Sequence, residues 1–158
     1  MKLDSISKAT LIWGMISQEG LVHLKEEKSL VIVPENRPYL IGLKHNAPLL
    51  KKENIDFVYC CDNVLGLLFY KGKIEKTLLF YKELNQNGVT GICGSLYAAL
   101  LSKLHNIPIK IAPQRRCEIE FLDADASSLG GNLFLEDRQD NCIIRAGDEV
   151  IETELLIK

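Results

Sequence analysis

Residues 29–42 read Ser29-Leu30-Val31-Ile32-Val33-Pro34-Glu35-Asn36-Arg37-Pro38-Tyr39-Leu40-Ile41-Gly42. The opening Ser29–Val33 is a continuous apolar run rather than a strict alternation, which suits a strand covered on both faces. Pro34 is expected to end it. Three further runs share this character: Ile55–Cys60, Thr77–Tyr81 and Ile107–Ile111, the last with Pro108 near its start. Helical patterns lie between them. Asp62 stands where it could cap a helix carrying Val64, Leu65, Leu67 and Leu68, with Gly72 as its stop. Ser95 opens another, expected to set Leu96, Ala99, Leu100 and Leu104 on one face and to close at His105-Asn106. A shorter helix is expected over 43–52, beginning or bending near Pro48. Strands and helices spaced in this way predict parallel strands joined by right-handed crossovers. The fold class is therefore α/β, a Rossmann-like, mostly parallel sheet with helices on both faces.

The ends read differently. Residues 5–27 fit either one amphipathic helix or a strand at Ala9–Trp13, a turn at Gly14 and a helix to Glu26; the second continues the alternation. After Pro113, Cys117–Leu122 and Leu133–Leu135 look like strands, and Cys142–Lys158 is charged and β-leaning. An extra β-rich C-terminal segment is expected, within one domain over 1–158.

Composition bounds the function. The chain has 158 residues, 47% hydrophobic and 25% charged, the profile of a folded domain. Lys plus Arg total 19 against 21 Asp plus Glu, a net charge of −2, so no basic field points to nucleic acid. Apolar runs fall far short of the roughly 20 residues of a membrane span. The five cysteines, Cys60, Cys61, Cys93, Cys117 and Cys142, show no CxxC spacing, so a disulfide framework or zinc site is not expected. Reduced thiols in a cytoplasmic protein are the economical reading. No GxGxxG follows the first strand, and no HExxH is present. No cofactor is expected.

Three polar clusters follow apolar runs. Glu35 and Arg37 would stand at a strand's carboxyl end, where ligands of such sheets bind; Arg37 either grips a phosphate or pairs with a carboxylate. Asp62-Asn63 follows the next strand, Asp62 being a cap or a site carboxylate. Glu136-Asp137-Arg138 has the same ambiguity. The glycine-rich turn Asn87-Gly88-Val89-Thr90-Gly91-Ile92-Cys93-Gly94-Ser95 is either an anion site at a helix start or a plain loop. Cys93 resembles a nucleophile elbow, but Ser95 replaces the required glycine and no histidine pairs with it by sequence.

Taken in order, these pieces resemble one family. Val33–Gly42 resembles its Glu-Thr-Arg-Pro…Gly motif, and Cys61-Asp62-Asn63-Val64-Leu65-Gly66 its Asp-Asn…Gly segment. Lys71-Gly72-Lys73-Ile74 resembles the stretch that follows. Asn87-Gly88 with Gly94-Ser95-Leu96-Tyr97 resembles its Asn-Gly…Ile-Gly-Thr-Tyr, and Leu135–Arg138 its Ile-Glu-Glu-Arg. The family groups methylthioribose-1-phosphate isomerase, ribose-1,5-bisphosphate isomerase and the α, β and δ subunits of translation initiation factor 2B. The resemblance spans residues 29–138 and implies a Rossmann-like C-terminal domain, usually dimerised through that domain. The family's helical N-terminal domain, with its phosphate-binding arginines, has no counterpart in the match.

The departures bear on mechanism. The isomerases carry a cysteine in Thr-His-Cys before the Glu-Thr-Arg-Pro strand, where this chain has Thr10-Leu11-Ile12-Trp13-Gly14-Met15-Ile16. Their aspartate in Gly-Ala-Asp-Arg-Ile corresponds to Lys82 in Phe80-Tyr81-Lys82-Glu83-Leu84. Moving a proton between adjacent sugar carbons needs an acid and a base in reach, and Lys82 could serve as a base only if buried. The expectation is a non-catalytic binding or regulatory module, a pseudoenzyme that forms a homodimer. It would take a sugar phosphate or nucleotide near Glu35, Arg37, Asp62, Asn63, Asn87, Gly88, Gly94 and Ser95. The alternative is a divergent sugar-phosphate isomerase completed by another chain.

Overall fold

The computed structural model describes residues 5–85 and 88–115, together with the strands 140–144 and 153–155. β1 (Ala9–Trp13) is buried at every position and leads through Gly14 into α1 (Gln18–Glu27). The strand–turn–helix reading of the N-terminal segment thus holds, one residue longer than expected. Ser17 caps α1 by accepting the Gly20 amide, and Lys28, in the left-handed region, returns its N–H to the Leu24 carbonyl. β2 (Leu30–Pro34) includes the proline expected to lie beyond it. A π-helical turn over Gly42–Asn46 runs into α2 (Ala47–Lys52), so the bend foreseen near Pro48 lies just before it. β3 (Phe57–Cys60) is followed by a 3-10 turn, Asp62–Val64, and α3 (Leu65–Tyr70). β4 (Ile74–Asn85), β5 (Gly88–Gly91), α4 (Ser95–Leu104) and β6 (Ile109–Pro113) follow. β7 (Asp140–Ile144) and β8 (Thr153–Leu155) supply β structure in the C-terminal segment.

The strands form one eight-stranded sheet. Its parallel part has the order β3-β2-β1-β4-β6. The chain therefore reverses direction of growth at β1, and the crevice at such a switch point is where ligands of open α/β sheets bind. Alternate residues of the strands feed two cores. Leu11 and Trp13 of β1, Ile32 of β2 and Leu79 of β4 pack with Leu65, Leu68, Ala98 and Ala99 from α3 and α4. Ile12, Val31, Val33, Leu78 and Phe80 pack on the other face with Leu21, Leu24 and Leu50 from α1 and α2. Helices on both faces explain why the strands read as unbroken apolar runs.

Two expectations need correction. The glycine-rich stretch is not a loop running straight into a helix: Gly88–Gly91 is strand β5, antiparallel to the far end of β4 and in turn to β7. β4 is long enough to pair with β1 and β6 first and with β5 afterwards, so a hairpin extends the sheet past its parallel core. The buried face of α4 is Ser95, Ala98, Ala99 and Ser102, whereas Leu100 is half-exposed and Leu104 is 74% exposed. Small residues face the sheet because the helix lies close upon it: the Thr77 and Ser102 hydroxyls share a buried hydrogen bond of 2.7 Å. The expected strands Cys117–Leu122 and Leu133–Leu135, and the cluster Glu136–Arg138, lie outside the described residues.

Candidate functional site at the carboxyl edge

Pro34 is the last residue of β2, and the chain then folds into a tight loop. Asn36 and Leu40 take positive φ values of 54° and 53°, and the Leu40 amide donates to the Asn36 carbonyl. The loop closes where the Gly42 amide meets the Glu35 carbonyl at 3.1 Å. A Cβ on Gly42 would stand 1.8 Å from the Pro34 carbonyl oxygen, so only glycine allows this return. The Gly that ends the quoted motif is thus a packing requirement of the loop.

Asp62 secures the loop from β3. Its two carboxylate oxygens accept the backbone amides of Asn36 (2.8 Å) and Arg37 (2.7 Å). The helix-cap role is corrected here: neither the turn at Asp62 nor α3 has a side-chain cap. A capping carboxylate must face its own helix, and this one faces the neighbouring strand's loop instead. Burial pushes the Asp62 carboxyl above its ordinary range, partly offset by the Arg37 and Asn36 amides, with Glu35 adding to the rise. Burial likewise raises Tyr59, and it pushes the Cys60 thiol up to about 12, with Asp62 adding to that shift. Cys60 is therefore held as an unreactive thiol. Arg37 Nε reaches Glu35 Oε2 at 3.3 Å while the Arg37 side chain stays 64% exposed.

Of the residues singled out by sequence, Glu35, Arg37 and Asp62 come together, with exposed Asn63 next to them on the 3-10 turn. Gly94 and Ser95 form a second group, at the start of α4 against β1, and Gly88 lies apart from them, paired with Asn85 of β4. Gly94, with φ 85°, precedes α4, and a Cβ there would stand 2.1 Å from Trp13 Cζ2. Trp13 Nε1 donates to the Cys93 carbonyl at 3.1 Å. Ser95 is buried, with its hydroxyl (2.7 Å) and its amide (3.0 Å) both turned to the Ile92 carbonyl. These groups seat α4 against β1 and leave the Ser95 hydroxyl committed. Gly88 is a buried residue of β5, and Asn87 lies outside the described residues. Lys82 is exposed on β4, without the burial that a lysine base requires.

The β1 end between the two groups carries a network that the sequence reading missed. The Gly14 amide donates to Asn36 Oδ1 (3.3 Å), and Asn46 Nδ2 donates to the Gly14 carbonyl (2.8 Å). The Ile16 amide donates to Asn46 Oδ1 (3.1 Å) and the Met15 amide to Gln114 Oε1 (3.3 Å). Asn36 and Asn46 are both fully buried side chains in polar company. The local signal for this role was an asparagine, a residue that tolerates positive φ, inside the loop Pro34-Glu35-Asn36-Arg37-Pro38. Gly14 follows the carboxyl end of β1, in the segment Thr10–Ile16 that carries no cysteine. A Cβ at Gly14 would lie 2.8 Å from both the Phe80 Cβ and the Phe80 carbonyl oxygen. Among the described residues, no group of three or more His, Cys, Asp or Glu side chains is placed to hold a metal ion, and no helix is long and apolar enough to cross a membrane.

No protein-family model matches the chain. It is similar to the methylthioribose-1-phosphate isomerase of Nitratidesulfovibrio vulgaris (strain DSM 19637 / Miyazaki F), with 29% identity over 126 residues, 79% of this chain and 35% of that protein. The enzyme of the same name from Oleidesulfovibrio alaskensis is 30% identical over 125 residues, 78% of this chain and 34% of that protein. The chain thus spans about a third of the length of these curated relatives. Its fold is similar to translation initiation factor eIF-2B subunit delta from A. fulgidus, with a TM-score of 0.62 and 18% identity, covering 96% of this chain and 49% of the other. It is also similar to 5-methylthioribose 1-phosphate isomerase from Pyrococcus horikoshii OT3, with a TM-score of 0.59 and 15% identity, covering 69% of this chain and 35% of the other.

Proposed function

We propose, for a chain whose sequence relatives are methylthioribose-1-phosphate isomerases and whose fold is shared with the initiation factor 2B subunits, a non-catalytic binding role. The domain would pair with a second copy of itself and take a phosphorylated small molecule at the carboxyl edge of its parallel sheet. One observation carries the non-catalytic half of this reading. The β1 end holds Gly14, closed in by Phe80, and the family's aspartate position holds an exposed lysine. A proton relay between neighbouring carbons needs two titratable groups converging on the substrate; Gly14 has no side chain to offer, and Lys82 is exposed rather than buried.

Support for ligand binding comes from the loop at β2. Asp62 fixes the backbone of Asn36 and Arg37 with both carboxylate oxygens, and the Arg37 guanidinium beside Glu35 stays largely exposed just beyond the carboxyl end of β2. A guanidinium so placed suits a phosphate. Support for pairing comes from α3 and α4, whose outer faces present Leu67, Tyr70, Tyr97, Leu100 and Leu104, with Tyr70 75% exposed. The two helices pack side by side, and contiguous apolar surface of this kind marks an interface.

A second reading, an isomerase completed by another polypeptide, draws on the names of the relatives and on their threefold greater length. One experiment separates the two. Purified chain is incubated with phosphorylated aldoses, and ketose formation is followed by NMR. The binding-module reading expects no turnover alone and none on adding the helical domain of a relative. Turnover in either sample overturns it.

A further inference from the structure

The parallel part of the sheet ends in two strands whose outer edges are guarded differently. Among the described residues, β3 pairs with β2 alone and β6 with β4 alone. β6 carries Lys110 and closes on Pro113, a charge and a missing amide of the kind that keep a foreign strand from adding to an edge. β3 has no such device. Its residues, Phe57-Val58-Tyr59-Cys60, include no charge and no proline, and its register with β2 runs without a bulge. Tyr59 is 37% exposed and the other three are half-buried.

The hydrogen bonds to β2 fix which backbone groups are left over. The Val31 amide donates to the Asp56 carbonyl and the Glu35 amide to the Cys60 carbonyl, both at 3.0 Å. Backbone direction alternates along a strand, so Asp56, Val58 and Cys60 turn inward to β2, and Phe57 and Tyr59 turn their amides and carbonyls outward. That pattern is self-complementary. In a second copy running antiparallel about a twofold axis at Val58, Phe57 of each strand faces Tyr59 of the other. Each pair exchanges two bonds, and no outward group of β3 is left over. A pairing centred on Tyr59 would instead set Phe57 against Cys61, whose carbonyl already accepts the Val64 amide at 3.2 Å. The side chains agree with the first register. Phe57 packs toward α1 and α2, and Tyr59, two positions on, shares its face, so each facing pair is aromatic on aromatic. Asp56 falls opposite Cys60, and no like charges meet.

We propose that β3 is a self-association edge, at which two copies of this chain join antiparallel about Val58 into one continuous sheet. A second copy fits this edge because its donors, acceptors and rings match under the twofold. The patch is small beside the roughly 1,000 Å² of a stable interface, so the contact forms at high concentration. It shares no residue with the apolar faces of α3 and α4 and does not depend on pairing there. Two separate twofold faces on one chain build an assembly larger than a dimer.

The test uses the full chain at low micromolar and at near-millimolar concentration. Amide hydrogen exchange, followed by NMR, should find Val58 and Cys60 protected in both samples. Phe57 and Tyr59 should exchange freely when dilute and slowly when concentrated, and Y59K should lose that slowing at Phe57. V58C, oxidised in air, should give a covalent dimer whose disulfide maps to position 58 of both copies. A non-hydrogen-bonded pair sets its Cα atoms about 4.5 Å apart, within disulfide reach. The same disulfide should form when Y70E/L104E is added, which separates this contact from pairing through α3 and α4. Slow exchange of Phe57 and Tyr59 in the dilute chain would mean that another segment covers the edge, and overturns the inference. Free exchange of both at high concentration does so too, whether or not V58C folds. So does a V58C disulfide that maps to Cys61 or Cys93, or one that is lost in Y70E/L104E.

Discussion

Replacing Asp62 by alanine removes the acceptor of two backbone donors at once. The Asn36 amide donates over 2.8 Å in a partly buried setting, and the Arg37 amide over 2.7 Å in an exposed one. A hydrogen bond to a charged group contributes about 1.5–3 kcal/mol, and a buried donor left unpaired costs about 1–3 kcal/mol. Arg37 recovers water, whereas Asn36 has little access to it. The raised Asp62 pKa shows that burial of the charge offsets part of the gain. D62A should therefore lose about 2–3 kcal/mol, a fall in melting temperature of about 5–10 °C for a domain of this size. D62N keeps one acceptor and sheds the buried charge, so its loss should stay near 1 kcal/mol. The pH dependence provides an independent check. Because the folded state holds the Asp62 proton more tightly than the unfolded state does, this group lowers stability as pH rises from about 3.8 through its raised folded value. That downward component should vanish in D62N. Urea unfolding of the three proteins between pH 3 and 7 measures both effects. If D62A unfolds within about 0.5 kcal/mol of wild type, the carboxylate is not what holds the Glu35–Gly42 loop.

Gly94→Ala combines a φ of 85° with a Cβ 2.1 Å from the Trp13 ring, so a loss of about 2–4 kcal/mol is expected, read by thermal unfolding; a melting temperature within about 2 °C of wild type would show that Trp13 gives way freely. His45, depressed when folded, takes its proton later than in the unfolded chain, so stability should fall as pH drops through 6.5 toward the folded value. H45Q should flatten that part of the urea-derived stability profile, and an unchanged slope would assign it to other groups. Pairing through α3 and α4 predicts a dimer by sedimentation velocity in wild type and a monomer in Y70E/L104E, both exposed positions; a wild-type monomer at tens of micromolar would remove the pairing half of the proposed function.

The comparison of expectation with structure follows the range of the interactions involved. Val31-Ile32-Val33 and Leu78-Leu79-Phe80 announced strands covered on both faces because their apolar character is continuous, and each alternate residue does enter a different core. β5 was not legible: Gly88-Val89-Thr90-Gly91 has weak strand propensity and becomes a strand because β4 and β7 flank it. The face of α4 was misread for a related reason. Leucines at 100 and 104 suggested the core, yet the close approach of the helix to Thr77 admits only small residues there.

At the site, Glu35, Arg37 and Asp62 could be found because each follows a strand, and carboxyl strand ends converge in this architecture. What each side chain does there could not. The residues Asp62 and Asn36–Arg37 are 25 and 26 positions apart, and Asn46 and Arg115 meet the β1 end across still longer separations. The sequence by itself determined the strand and helix periodicity and the α/β class, because those depend on residue type and short spacing. Only the tertiary structure decided that Asp62 clamps a loop and that Ser95 faces inward. Those depend on sheet order, and no local preference of the chain encodes which strand lies beside which.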